Sequence, residues 1–134
     1  MKQSKGFSLL ELLIAMAISI ILLCLAYPAY NHHWVRARRN QATVTLLYLA
    51  SQMESFYTLH DSYEGATLDI LGVNPYNDDL TYQFSIDNLS DLTYLVKATP
   101  IHQQAKQDTL CGTLSLNEAG EQMNSGNTNI QMCW

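Results

Sequence analysis

Positive charge is scarce over most of this 134-residue chain. Seven Lys+Arg oppose twelve Asp+Glu, for a formal charge of −5. Beyond Asn40 only Lys97 and Lys106 face eleven acids, so that stretch carries −9. A body this acidic repels a phosphate backbone, and nucleic acid is not an expected partner by bulk electrostatics. The spacings that carry common chemistries are also missing. His32, His33, His60 and His102 are scattered with no His-Glu-x-x-His, so no metal site is expected. No Gly-x-Ser-x-Gly, phosphate loop or dinucleotide fingerprint occurs, so neither a catalytic residue nor a cofactor is expected. The length leaves no room for a TIM barrel or a doubly wound two-domain enzyme. Only 14% of residues are charged, and 8 Tyr, 3 Phe and 2 Trp argue against disorder.

The apolar residues that are present are unevenly placed. They make up 48% of the chain, yet 20 of the 24 residues in 7–30 are apolar, against 43 of 104 from Asn31 onward. Lys2 and Lys5 precede this run, and the stretch 12–35 carries no charge over 24 residues. As a helix, that stretch reaches ~36 Å, enough to cross a ~30 Å hydrocarbon core. Lysines on its N-terminal side favour keeping that end in the cytoplasm, which puts the body outside the inner membrane. A cleaved secretory signal fits poorly, because Cys24-Leu25-Ala26-Tyr27-Pro28-Ala29-Tyr30 does not read as a small-x-small site. A plain anchor leaves Glu11 without an explanation. That carboxylate either sits at headgroup level, suiting a helix N-terminus, or meets a positive partner in the membrane or an assembly. No Lys or Arg lies between Gly6 and Val35, but a free amine made by cleavage before Phe7 would serve.

Lys5-Gly6-Phe7-Ser8-Leu9-Leu10-Glu11, behind a basic leader and ahead of the apolar run, resembles the class III leader of type IV pilins and pseudopilins. The resemblance implies cleavage by prepilin peptidase after Gly6 and methylation of the new Phe7 terminus. It implies that Glu11 pairs with the amine of a neighbouring subunit, and that Pro28 occupies the place of a helix-bending proline. Proline inside a helix forfeits a hydrogen bond and crowds the preceding turn, so a kink or local melting is expected near Pro28.

Ala42, Leu46, Leu49, Met53 and Phe56 continue a helical period as one stripe, so the helix is expected from about 7 to 60. Arg36, Arg38 and Arg39 follow the apolar segment, where they suit lipid headgroups, a neighbouring subunit or plain solvent. Gly65, Gly72 and Asn74-Pro75 mark 61–80 as an irregular connector. Strand-like runs follow at 81–87, 92–99, 109–116 and 121–124, with Asn117-Glu118-Ala119-Gly120 as a hairpin turn. The expected class is α+β: a long N-terminal transmembrane helix packed on a small antiparallel sheet of about four strands. The chain thus divides into a cleaved leader (1–6), a membrane and filament-core half-helix (7–30), an amphipathic half-helix on the head (31–60), the connector (61–80), and the sheet with the C-terminal region (81–134).

Cys24 sits in the apolar run and reads as a small filler. Cys111 and Cys133 lie in the exported part, where a disulfide is the expected state and free thiols or metal ligands are the alternatives. Their spacing resembles the C-terminal disulfide loop of type IV pilins, and the ending Cys133-Trp134 looks most like PilE-type minor pilins. The resemblance implies a minor pilus subunit serving pilus biogenesis, twitching motility, adhesion or DNA uptake. Its partners would be other pilin subunits, the peptidase, the inner-membrane assembly machinery and the lipid bilayer. The precursor would be a single-pass inner-membrane protein with a periplasmic head, and the product a subunit of the surface filament. A major pilin, a type II secretion pseudopilin, and a receptor pilin binding DNA or a host ligand stand as alternatives.

Overall fold

A computed structural model describes residues 7–134. Lys2, Lys5 and Gly6, and with them the leader side of the cleavage site, lie outside the described residues. Two compact units divide the chain, one ending at Trp34 and the other spanning Val35–Trp134.

The first element is α1 (Leu9–His60), a single 52-residue helix that continues without interruption past Pro28. Local melting at that proline is therefore not observed. Ser8 opens the helix, its carbonyl accepting from the N–H groups of Glu11 and Leu12 at 3.0 and 3.2 Å. The helix stops because Asp61 turns left-handed, with φ +54°, and caps the Tyr57 carbonyl at 2.8 Å. Glycine usually fills that role; aspartate is among the few other residues that tolerate it.

In the Val35–Trp134 unit, β1 (Tyr82–Asp87), β2 (Leu95–Pro100), β3 (Leu114–Asn117) and β4 (Gln122–Asn124) form one antiparallel sheet in sequence order. Phe84 pairs with Ala98 and Val96 with Leu116, so alternate residues of successive strands share one face. That face buries Tyr82, Phe84, Val96, Ala98, Leu114 and Leu116 against Ala42, Leu46, Leu49 and Met53 of α1. The helical stripe read from the sequence is thus the helix's contribution to the core, with Phe56 packed at its margin.

Several boundaries differ from expectation. The strand expected from 92 begins at Leu95, because Ser90 and Thr93 close a turn on each other (Ser90 N–H to the Thr93 carbonyl, 3.0 Å). The strand expected from 109 begins at Leu114. Its first residues instead form a turn in which Gly112, at φ +61°, donates to the Asp108 carbonyl at 2.9 Å. The strand expected at 121–124 begins one residue later, at Gln122. Between β2 and β3 lies α2 (His102–Gln107), which sequence reading missed; six residues are too short to display a helical period. The stretch between α1 and β1 also supplies core. Tyr63, Ala66, Leu71 and Val73 are buried, held by a tight turn in which Val73 donates to Leu68 at 2.8 Å. The hairpin at Asn117–Gly120 forms, its side-chain carbonyl at Asn117 accepting from the backbone of Ala119 and Glu121.

Candidate functional site

The described part of the first unit is the apolar stretch of α1. Phe7 is 82% exposed, and large apolar residues from Leu9 to Leu25 are all exposed. An apolar surface of this length, with nothing buried inside the chain, marks a segment that meets lipid or other protein. Glu11 lies in the first turn of α1, where the exposed backbone N–H groups favour a carboxylate. Cys24 is a free, exposed cysteine on the same helix. At the end of this unit Tyr27, Tyr30 and Trp34 are exposed aromatics, the last two in edge-to-face contact at 6.0 Å.

The second unit is locked at the end where α1 enters it. Asp108, 2% exposed, pairs with the Arg39 guanidinium at 3.2 Å and accepts from the Tyr82 hydroxyl at 2.8 Å. Gln104, on α2, donates to the Val35 carbonyl at 3.0 Å and lies 3.3 Å from both Asp108 and the Tyr82 oxygen. Arg39 also donates to the Met132 carbonyl at 3.1 Å and to Cys111 Sγ. One guanidinium therefore ties α1, the residue closing α2 and both ends of the C-terminal loop. Burial, and after it the Asp108 charge, pushes the Tyr82 phenol well above its usual range. Sequence reading found none of this network. Arg39 was expected to face lipid, a neighbour or solvent, and its burial is the correction: it carries the only cation within reach of a buried Asp108 among the described residues.

The C-terminal loop is closed by the Cys111–Cys133 disulfide, with the two Cα atoms 5.6 Å apart. Gly126 seats the loop against the backbone of Leu110 and Cys111, donating to the Cys111 carbonyl at 3.0 Å. A Cβ at that position would collide with the Leu110 carbonyl. Farther along α1, Glu54 accepts from the hydroxyls of Tyr63 (2.8 Å) and Tyr94 (3.1 Å), whose rings meet edge to face at 4.8 Å. Burial and the Glu54 hydrogen bond push the Tyr63 phenol up to about 12, and the same causes raise Tyr94.

The four histidines do not converge, and no cluster of His, Cys, Asp and Glu suited to a metal occurs among the described residues. His60 instead stacks on Phe56 with ring centres 4.0 Å apart.

Two family models match successive stretches of the chain. Residues 1–27 match the prokaryotic N-terminal methylation motif. Residues 28–115 match the family described as type IV minor pilin ComP, DNA uptake sequence receptor. The chain belongs to this minor pilin family. Its structure is similar to the non-core minor pilin PilV of Neisseria meningitidis, with TM-score 0.56 and 23% identity over 72% of this chain and 92% of that one. A type IV pilin from Shewanella oneidensis is also similar, with TM-score 0.53 and 27% identity over 75% of this chain and 97% of that one. No curated protein matches the chain. The protein is a type IV pilus subunit of the minor class, and its exposed apolar helix is long enough to cross a membrane.

Proposed function

We propose that this minor pilin is made as an inner-membrane precursor with a periplasmic head. It is cut between Gly6 and Phe7 by prepilin peptidase, methylated on Phe7, and drawn by the inner-membrane assembly machinery into a filament through α1. The observation that carries this reading is the pairing of an N-terminal methylation motif over 1–27 with an apolar stretch of α1 that is exposed throughout. Two charges would then lie in an apolar setting, the Phe7 amine and Glu11, and each is best neutralised by the other on a neighbouring subunit. Pro28, lacking an N–H, is the place where α1 yields when neighbouring helices pack. The protein performs no catalysis in this role.

The pilus-dependent process it serves is DNA uptake, in keeping with the receptor role in the family's description. A second reading, an assembly subunit that touches no DNA, draws on the head's charge. Arg38, Arg39 and Lys97 are committed to Asp79, Asp108 and Asp87. Among the described residues this leaves Arg36 and Lys106 as the lysine and arginine side chains without a carboxylate in ion-pair range. The deciding experiment compares DNA uptake and pilus number in cells lacking the chain and in complemented cells. Uptake should fall and be restored by complementation; unchanged uptake with normal pili removes the DNA reading. Duplex binding by the full-length protein that weakens steeply with salt would make the head itself the receptor.

A further inference from the structure

The stretch between α1 and β1 shapes two cavities that assembly leaves unused. Its turn is knit by backbone bonds from Leu71 to Thr67 at 3.0 Å, Gly72 to Asp69 at 3.1 Å and Val73 to Leu68 at 2.8 Å. This turn, with Asn74 and Pro75, lines an open cavity of about 610 Å³. A second cavity, of about 160 Å³, lies where the same stretch meets Gln41 and Thr45 of α1. Val73 and Asn74 line both, so the two adjoin. The smaller one is also lined by buried Phe84 and by Tyr76, which is 43% exposed. Its walls are fixed by bonds of their own. Pro75 accepts from the Phe84 N–H at 2.8 Å, Asn77 donates to the Tyr82 carbonyl at 3.2 Å, and Tyr76 pairs with Gln83 along the free edge of β1. The Asn77 side-chain carbonyl accepts from the N–H groups of Thr81 and Tyr82, both at 2.8 Å. A site formed in advance spends little binding energy on ordering itself.

We propose that these adjoining cavities bind a neutral saccharide. The chemistry of the lining selects that class. Among the described residues neither cavity is lined by Lys, Arg or His, so a phosphate, sulfate or carboxylate finds no counter-charge. The acidity of the head repels such groups further. What the lining offers instead is uncharged amide, hydroxyl and phenol, with one carboxylate in each cavity, Asp69 and Asp78. Amides both donate and accept, and carboxylates accept, which matches the paired giving and taking of neighbouring sugar hydroxyls. Gln41, Asn74 and Asp78 are exposed, and among the described residues their side chains make no hydrogen bond within the head. Tyr76 adds an aromatic ring whose electron-rich face attracts the C–H face of a pyranose. The larger cavity also lies within the ~300–1,000 Å³ range of small-molecule sites, and the smaller one extends it by a further subsite.

The test uses the full-length chain in a phosphocholine detergent, since sugar-headed detergents would compete. Calorimetric titration follows two neutral trisaccharides, maltotriose and triacetylchitotriose, with glucose 6-phosphate as the charged comparison. At least one trisaccharide should saturate in the millimolar range with an affinity indifferent to salt, and glucose 6-phosphate should not bind. Tyr76→Ala should weaken binding several-fold, while Tyr76→Phe, which keeps the ring face, should retain most of it. Asn74→Ala should also weaken it several-fold. Both residues are exposed, so the melting temperature of each variant should stay at that of the parent protein. Failure of both trisaccharides to saturate overturns the proposal and leaves the DNA-uptake reading untouched. Binding that is unchanged in Tyr76→Ala and Asn74→Ala overturns it as well, by placing the sugar elsewhere. Equal binding of glucose 6-phosphate overturns the preference for a neutral ligand on which the assignment stands.

Discussion

Arg39 and Asp108, 69 residues apart in sequence, form an ion pair at 3.2 Å with side-chain exposures of 12% and 2%. Such a pair costs desolvation on both sides and is worth most as a specific tie. Removing one member leaves the other charge buried. Asp108→Ala should cost about 3–5 kcal/mol of head stability, and the double change Arg39→Met/Asp108→Leu should cost clearly less. Urea titration of the detergent-solubilised protein measures both; equal losses would mean that the Arg39 charge left behind carries no penalty of its own.

The raised tyrosines give a pH dependence. The folded head holds the Tyr63 proton more tightly than the unfolded chain, with a folded pKa of about 12 against 10.0. That contribution is complete below pH 10, and it disappears as the pH rises through about 12. Stability should therefore decline across this alkaline window, and Tyr63→Phe should flatten the decline. Phenolate absorbance should show Tyr82 and Tyr94 ionising later than the exposed tyrosines.

Gly126 is required by space. Gly126→Ala should destabilise the loop by roughly 1–3 kcal/mol, because the new methyl meets the Leu110 carbonyl and the backbone must move. Thermal melting, read beside Gly65→Ala as a change at a glycine in open space, separates the steric effect from the strain that any residue meets at a positive φ.

Reducing or removing the Cys111–Cys133 bridge should cost roughly 3–4 kcal/mol by freeing the closed loop in the unfolded chain. Under non-reducing conditions, alkylation should label Cys24 alone. Labelling of Cys111 would show an open loop.

Glu11→Ala should be processed normally yet fail to enter filaments. Mass spectrometry of the membrane-extracted variant should find a methylated Phe7 terminus, and sheared filaments should lack the chain. Assembly at the normal level would remove the pairing role of Glu11.

The parts of the fold that could be read in advance are those written as local repetition. Ala42, Leu46, Leu49 and Met53 announce a core face because their spacing follows the helix turn, and all four are buried. The sheet could be read from alternation and from the turn at Asn117–Gly120, since both are properties of adjacent residues. Asp108 and Gln104 were illegible for the opposite reason. Nothing near either residue says that it will be buried, and their partners Arg39 and Val35 lie on the far side of the sheet in chain order. Tyr63 and Tyr94 are a similar case, joined only through Glu54 on α1. The contiguous segment that holds Phe7 and Glu11 falls within the methylation-motif match over residues 1–27.

The anchors at Val35 and Arg39 also determine how the head bears load. Tension carried along α1 reaches the Gln104–Val35 and Arg39–Asp108 bonds before it reaches the apolar stripe at Ala42 and beyond. Those bonds lie at the first turns of the helix inside the head, and Arg39 passes the strain on to a loop closed by a covalent bridge. A pull along the helix is thus met at once by cross-links, and the packed face behind them is spared from peeling open.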